Sequence, residues 1–162
     1  MIKCQARTSA CAPLSSTVRV QVHFAPDVAV YIRLRLAEYL AAPGDDLRQY
    51  ARRHGVLPVY GDMGGRLLLG SNGEVLRTDL DLETDPTPVF EEQWQVTAYV
   101  AASNAYPEFT AFLPARSELE PDCAVCHGTG HFLELTAYCG ACYGLGWDYL
   151  CSNKSLERRR EG

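Results

Sequence analysis

The sequence predicts an α+β protein: a small mixed or antiparallel sheet with flanking helices, followed by a C-terminal four-cysteine module. Three observations lead to this fold class. Short apolar or alternating runs are bounded by turn residues, which is typical of strands. Between them lie segments of helical length that begin or end at Asp, Pro or Gly. Near the C-terminus the pattern Cys-x-x-Cys-x-Gly-x-Gly occurs twice, starting at Cys123 and at Cys139.

The chain opens with a segment that shows no periodic pattern. Residues 1–16 are therefore expected to form a loose lead-in. Residues 18–24 alternate apolar with polar side chains, which predicts a half-buried strand. His23 falls among the polar positions of this strand, so we expect it to face solvent rather than to act in catalysis.

A helix is expected next, over residues 28–42. Asp27 would cap its N-terminus, and the Pro-Gly pair at Pro43 would end it. The alternative for the first half of this segment is a strand, because three apolar residues alternate with arginines there: Ile32, Leu34 and Leu36.

The middle of the chain predicts a short helix, a hairpin and further helices. Asp45 and Asp46 open an amphipathic helix that Gly55 ends. The Asn72-Gly73 pair, between two apolar runs, is the strongest local signal for a β-hairpin. The remaining elements are extended segments over 56–60, 66–70, 74–79 and 87–90, a turn over 61–65, a helix over 91–104, and a short helix from Pro107 that Pro114 ends.

These elements divide the chain into a body and a small C-terminal module. The predicted segments are a lead-in (1–16), an α+β body (17–114), a polar linker (115–122), a zinc-binding module (123–151) and a polar basic tail (152–162). The body is long enough for one ordinary hydrophobic core.

The amino-acid composition and net charge indicate which classes of protein this chain can belong to. Hydrophobic residues make up 47% of the 162 residues and charged residues 22%, as in soluble globular proteins. The N-terminus has no apolar stretch of signal-peptide length, and no run is long enough to span a membrane, so we expect a cytoplasmic protein. The formal net charge of −5 argues against nucleic acid as a partner.

The doubled cysteine motif predicts one structural zinc ion. Its expected ligands are Cys123, Cys126, Cys139 and Cys142. Two cysteines three residues apart can place both sulfurs on one ion, and two such turns complete a tetrahedron. Four thiolates leave no open position for water or substrate, so the zinc would be structural rather than catalytic. The alternative is two pairs of free or redox-active thiols.

Other cysteines and histidines are expected to play smaller parts. His127 and His131 lie inside the module and could replace a cysteine ligand, but we expect them at the surface. Cys4 and Cys11 are expected to be free thiols. So is Cys151, although it lies close enough in sequence to approach the metal.

The doubled motif resembles the cysteine-rich region of DnaJ-type chaperones. The resemblance covers residues 123–146 and implies the same metal-binding geometry for the four cysteines. That family uses four repeats to build two zinc sites, whereas this chain has two repeats. The chain also lacks the helical J-domain with its His-Pro-Asp tripeptide, so the resemblance does not extend to chaperone activity.

An acidic run lies between the predicted hairpin and the helix that follows it. It contains no basic residue between its first and last acids: Asp79, Asp81, Glu83, Asp85, Glu91 and Glu92. One interpretation is a solvated loop beside a strand. The other is an anionic surface that docks a basic protein partner. The spacing does not match a calcium-binding EF-hand loop.

The body of the chain is similar to bacterial SUKH-type proteins across residues 45–147. The stretches that carry this resemblance are LPVYGDMGG, LLLGSNGEV, YPEF and FLP, followed by a glycine-rich cysteine pair ending in GLGW. Many members of that superfamily are immunity proteins that bind and neutralise a toxin delivered between competing bacteria. The strand predicted over residues 18–24 departs from their helical start.

We therefore expect a protein that acts by binding another protein, without catalytic residues of its own. In its most concrete form it is an immunity protein whose partner is a basic toxin domain. The first alternative is a zinc-dependent chaperone-like or adaptor module. The second is an uncharacterised enzyme, for which the sequence contains no recognisable catalytic motif.

Overall fold

The computed structural model describes residues 26–62, 65–116, 118–132 and 137–149. The described residues up to Phe112 form one compact unit, and those from Leu113 onward form a second. The predicted lead-in, the strand over 18–24, the tail, and the cysteines at positions 4, 11 and 151 lie outside the described residues. Across the described ranges, no helix combines the length and the apolar character needed to cross a membrane.

The first unit contains helices and one antiparallel sheet, so the predicted α+β class is confirmed. Its described elements, in chain order, are α1 (Pro26–Ala41), α2 (Asp46–His54), β1 (Leu57–Asp62), β2 (Gly65–Leu69), β3 (Val75–Thr78), β4 (Thr87–Pro88), α3 (Glu92–Ala105) and a 3₁₀-helix (Pro107–Phe112). The strands are ordered β1-β2-β3-β4, and every neighbouring pair is antiparallel. Each strand thus pairs with the next one along the chain, which short connections allow.

The predicted hairpin joins β2 to β3. Leu69 lies opposite Val75 across the two strands, with the Asn72-Gly73 turn between them. Gly73 has a φ of 92°, in the region that favours glycine. A Cβ at this position would lie 2.7 Å from a methyl carbon of Val28, and the Tyr99 hydroxyl donates a 2.6 Å hydrogen bond to the Gly73 carbonyl. Both the backbone conformation and the close packing therefore require glycine here.

Both faces of the sheet are covered. On one face Leu68 and Leu76 pack with Tyr50 of α2, and the partly buried Leu82 completes this cluster. Helix α3 contacts β1, β2 and β3, and the Arg77 guanidinium lies over the Trp94 ring of this helix at 5.1 Å. Helix α1 meets the 3₁₀-helix through aromatic rings. The Tyr31 centroid lies 6.4 Å from that of Phe109, which is fully buried.

The structure confirms the predicted helices among the described residues and corrects one predicted helix cap. Segment 28–42 is helical along its whole described length apart from its last residue, not a strand in its first half. The helix begins at Pro26, before Asp27, so Asp27 is not its N-cap. Proline is tolerated in a first helical turn because its missing N–H needs no partner there. The short helix predicted from Pro107 is present, with 3₁₀ geometry.

Helix α2 has the ends that the sequence predicted. The Asp45 side chain accepts a hydrogen bond from the Arg48 backbone N–H, which satisfies one free donor of the first turn. Gly55 adopts a left-handed conformation with φ of 65° and ends the helix.

Candidate metal centre

Four cysteine side chains converge in the second unit: Cys123, Cys126, Cys139 and Cys142. All four are buried, and their sulfur atoms all lie within 4.8 Å of one another. The sulfurs of Cys123 and Cys139 are 3.9 Å apart, and those of Cys126 and Cys142 are 3.7 Å apart. In a tetrahedral site with metal–sulfur bonds of about 2.3 Å, neighbouring sulfurs are separated by about 3.8 Å. The thiols are thus arranged to hold one tetrahedral ion.

Each cysteine pair lies on a turn that also supplies hydrogen bonds to sulfur. The backbone N–H of Gly130 donates to the Cys126 sulfur at 3.2 Å, and that of Gly146 donates to the Cys142 sulfur at 3.3 Å. These bonds require the chain to curl back over the sulfur. Both glycines have the positive φ angles that this conformation needs, 77° at Gly130 and 85° at Gly146.

The two turns pack so closely that Gly130 and Gly146 cannot be replaced without a clash. A Cβ at Gly130 would lie 2.5 Å from the carbonyl oxygen of Gly144, and one at Gly146 would lie 2.7 Å from that of Gly128. Contacts below 3.0 Å to backbone atoms are not relieved by side-chain motion. The glycines of the motif therefore bring the two halves of the site together, in addition to shaping each turn.

The site has approximate two-fold symmetry with an offset of 16 residues. The second pair of cysteines follows the first by 16 residues, so Cys139 corresponds to Cys123 and Cys142 to Cys126. The flanking backbone bridges follow it too: Asp122 pairs with Trp147, and His131 pairs with Tyr138. The two bridges are symmetry counterparts, because under the 16-residue offset His131 corresponds to Trp147 and Asp122 corresponds to Tyr138. The doubled motif in the sequence is thus a doubled structural unit around one centre.

Burial and hydrogen bonding act in opposite directions on the thiols. Burial raises the pKa of Cys123 and of Cys142. Burial also acts to raise the pKa of Cys126, but the N–H of Gly130 and the neighbouring thiols outweigh it and lower this pKa to about 7. Four thiolates in a buried cluster repel one another unless a cation lies among them. The arrangement therefore suits a divalent metal ion.

The two histidines of the module are not part of the cluster formed by the four cysteines. His127 is exposed, and the group of converging ligand atoms found among the described residues contains cysteines alone. The His131 ring stacks on Tyr138, with centroids 5.0 Å apart. His127 thus lies at the surface, as expected, whereas His131 is partly buried beside Tyr138.

The six acids predicted to bind a partner fall into two groups. Four lie in the loop between β3 and β4: Asp79, Asp81, Glu83 and Asp85. The other two lie beyond the far end of β4, where Glu91 occupies the N-cap position of α3 without a side-chain capping bond and Glu92 begins the helix. Strand β4 leads away from the loop. Its Thr87 pairs with Arg77 next to the loop, and Glu91 lies four residues further along the chain. The structure thus places four of the acids in one loop and the other two beyond the strand that follows it.

The acidic loop is held in a defined conformation. Its Leu82 has a positive φ of 60° and packs its side chain into the core cluster. The Thr84 carbonyl accepts a 2.7 Å hydrogen bond from the Tyr50 hydroxyl. Asp79 accepts from the Thr84 hydroxyl at 3.2 Å, and Asp81 accepts from the Glu83 backbone N–H at 3.3 Å. Two of the four loop acids thus maintain the shape of the loop that carries the others.

Two large apolar residues within the acidic run were not singled out as candidate site residues. Leu80 in the loop is 48% exposed, and Phe90 just before α3 is 81% exposed. The sequence alone could have indicated these two residues as candidates for partner binding. A large apolar side chain within an acidic run is a signal for an interface, because aromatic and aliphatic anchors are common in protein interfaces.

The site and the fold define an α+β protein with a buried four-cysteine cluster suited to a metal ion. A comparison with protein-family models, with curated proteins and with solved structures finds no match to this chain.

Proposed function

We propose that the second unit binds one zinc ion through Cys123, Cys126, Cys139 and Cys142. The observation that carries the proposal is the convergence of four buried sulfurs within 4.8 Å of one another, with two of their separations, 3.9 Å and 3.7 Å, matching a tetrahedral site. A tetrahedral set of four thiolates is typical of zinc or of iron, and structural sites of this kind most often hold zinc. Since the cysteines fill all four positions, the ion has a structural role and contacts no substrate.

The small core of the second unit supports a structural role for the metal. Apart from the cysteines, the large apolar side chains that are buried in its described part are Trp147 and Tyr149. Their rings pack edge to face, with centroids 5.5 Å apart. Two aromatic residues are a small core for the described part of this unit, and a metal ion can take the place of a larger one.

We expect purified protein to carry one zinc ion per chain. Elemental analysis by mass spectrometry, on protein expressed with zinc and iron both available, measures the metal content. Replacing Cys126 by serine should abolish the bound zinc, whereas replacing the exposed Val125 by serine should leave it unchanged. Iron in place of zinc, two ions per chain, or none would contradict the proposal.

We further propose that the protein acts without catalysis, by binding another protein in the cytoplasm. In its most concrete form it is an immunity protein that neutralises a bacterial toxin through the acidic loop. The loop supports this because it is held in shape by Tyr50 and Leu82 while Leu80 and Glu83 remain exposed. A surface ordered before binding loses less conformational entropy when it docks. The resemblance to SUKH-type proteins points the same way.

A second candidate function is an adaptor or chaperone-like role for the second unit. The observation that favours it is the exposure of three apolar side chains on that unit: Leu119, Val125 and Phe132, which are 52%, 54% and 48% exposed. Exposed apolar side chains can mark a binding surface for other proteins. In this role the zinc site would be the scaffold that presents the surface.

Co-purification from the native host, followed by a growth assay, tests the proposed function. We expect the captured partner to be encoded next to the gene for this chain and to inhibit growth when expressed alone. Co-expression of the intact chain should restore growth, and a variant with Glu83→Lys and Asp85→Lys should restore it less well. Rescue that depends on Val125 and Phe132, and not on the loop acids, would move the partner-binding surface to the second unit. A neighbouring protein without effect on growth would overturn the immunity role.

A further inference from the structure

Helix α1 carries apolar residues on opposite sides. Val28 and Ile32 are fully buried in the first unit, as a core-facing stripe should be. Val30 and Leu34, however, are 46% and 53% exposed. A helix that is apolar on both sides is usually covered on both sides. The exposed side of α1 is therefore a surface whose composition indicates a further contact.

The exposed residues form one continuous stripe along the helix. It consists of Val30, Leu34, Ala37 and Ala41, all of them exposed. Their spacing of four, three and four residues is the repeat by which two helices pack side by side in a coiled coil. Two of the four are alanines, which allow the helix axes to approach closely.

Charged residues flank this stripe on its two sides. At about 100° per residue, Arg33 and Glu38 lie on opposite edges of the stripe. In a parallel helix pair, residues five positions apart on opposite edges meet across the interface. Arg33 of one helix would therefore meet Glu38 of the other, and the two-fold symmetry would form this pair twice.

Both side chains are available for such a contact. Arg33 is exposed and forms no salt bridge with any residue in the described part of the chain. Glu38 is bound by Arg35 through its Oε2 atom at 2.6 Å, with 63% of its side chain exposed. Its second carboxylate oxygen can accept from a further guanidinium. In an antiparallel pair, by contrast, each edge would face its own counterpart and bring like charges together.

We propose that the exposed stripe of α1 is a self-association surface, on which α1 of a second copy of this chain packs in parallel. The helix supplies two heptads, so the buried area is smaller than that of stable dimers and the association is weak. It depends on protein concentration, with half-association expected at tens to hundreds of micromolar, an order-of-magnitude estimate. The proposal is independent of the metal site and of the acidic loop.

Sedimentation equilibrium of the zinc-loaded full chain tests the proposal, from about 10 µM to about 1 mM to bracket that range. The average mass should rise toward that of a dimer, and Leu34→Glu should keep the chain monomeric throughout. Arg33→Glu and Glu38→Lys should each weaken association at least several-fold, and the double variant should recover most of it. A monomeric parent protein, or association that Leu34→Glu leaves unchanged, would overturn the proposal. Circular dichroism of each variant confirms that it is folded.

Cysteine cross-linking tests the parallel orientation. In a background with Cys4, Cys11 and Cys151 replaced by serine, Val30→Cys and Ala41→Cys mark the two ends of the stripe. In a glutathione redox buffer, each variant alone should form a disulfide-linked dimer, because like positions face each other in a parallel pair. Cross-links that form only when the two variants are mixed would show an antiparallel pair and refute the proposed geometry. Ser71→Cys, in the exposed hairpin turn, controls for random collision.

Discussion

Replacing Cys139 by alanine is expected to unfold the second unit from about residue 120 onward and to leave the first unit folded. The substitution removes one of four metal ligands from a fully buried position. In small zinc-binding peptides the metal contributes on the order of 10–16 kcal/mol, which is folding free energy because the site does not exist in the unfolded chain. Within the described part of this unit, the large buried apolar side chains besides the cysteines are two aromatic residues, so the metal is expected to supply most of its stability.

The first unit should survive because its core does not include the metal site. Its buried residues come from both faces of the sheet and from all three α-helices, among them Ile32, Tyr50, Leu68 and Tyr99. These side chains supply the hydrophobic burial that folded domains of this size depend on.

Hydrogen exchange read by mass spectrometry decides between local and global unfolding. In the Cys139→Ala variant, amides within residues 120–132 and 137–149 should lose protection, and those within residues 26–62 and 65–112 should keep it. Val125→Ser provides the matched control, because it lies in the same motif, is exposed and ligates nothing. Loss of protection in both units would show that they fold as one cooperative body.

Local signals in the sequence predicted much of the first unit. The caps of α2 and the turn after β2 depend on residues within a few positions of one another, namely Asp45, Gly55 and Gly73. Their conformations are determined by backbone sterics and by hydrogen bonds between residues close in sequence. Both can be inferred from the residue types alone. The four-cysteine cluster could also be predicted from local sequence, since each cysteine pair lies on a single turn.

Other features depend on distant contacts and could not be predicted locally. The run around Leu34 fits a strand or a helix by periodicity, and packing of α1 on the sheet and the 3₁₀-helix selects the helix. The acidic residues looked like one surface because they are consecutive in sequence. Strand β4 runs through the middle of this stretch and separates Glu91 from the loop. Only the pairing of β4 with β3 reveals this separation.

Reversing the charges of the acidic loop is expected to slow association with a basic protein partner strongly. The variant with Glu83→Lys and Asp85→Lys changes two exposed side chains, whereas Asp79 and Asp81 accept the hydrogen bonds that shape the loop. Reversing the latter pair would confuse loss of charge with loss of loop structure. Since exposed charges act mainly during diffusional encounter, the association rate should fall on the order of tenfold or more. The dissociation rate should change much less.

Surface plasmon resonance with the partner captured from the native host measures both rates. Single reversals provide a matched comparison: Glu83→Lys in the loop and Glu118→Lys in the second unit change the net charge equally, and both positions are exposed. Only the loop variant should slow association.

The parent protein should also associate more slowly as salt rises, because at physiological ionic strength charges are screened beyond about 8 Å. Leu80→Ala should act mainly on the dissociation rate, since an apolar anchor contributes after contact is made. If both charge variants bind with the rates of the parent protein and salt has no effect, the acidic loop is a solvated surface, and the partner binds elsewhere.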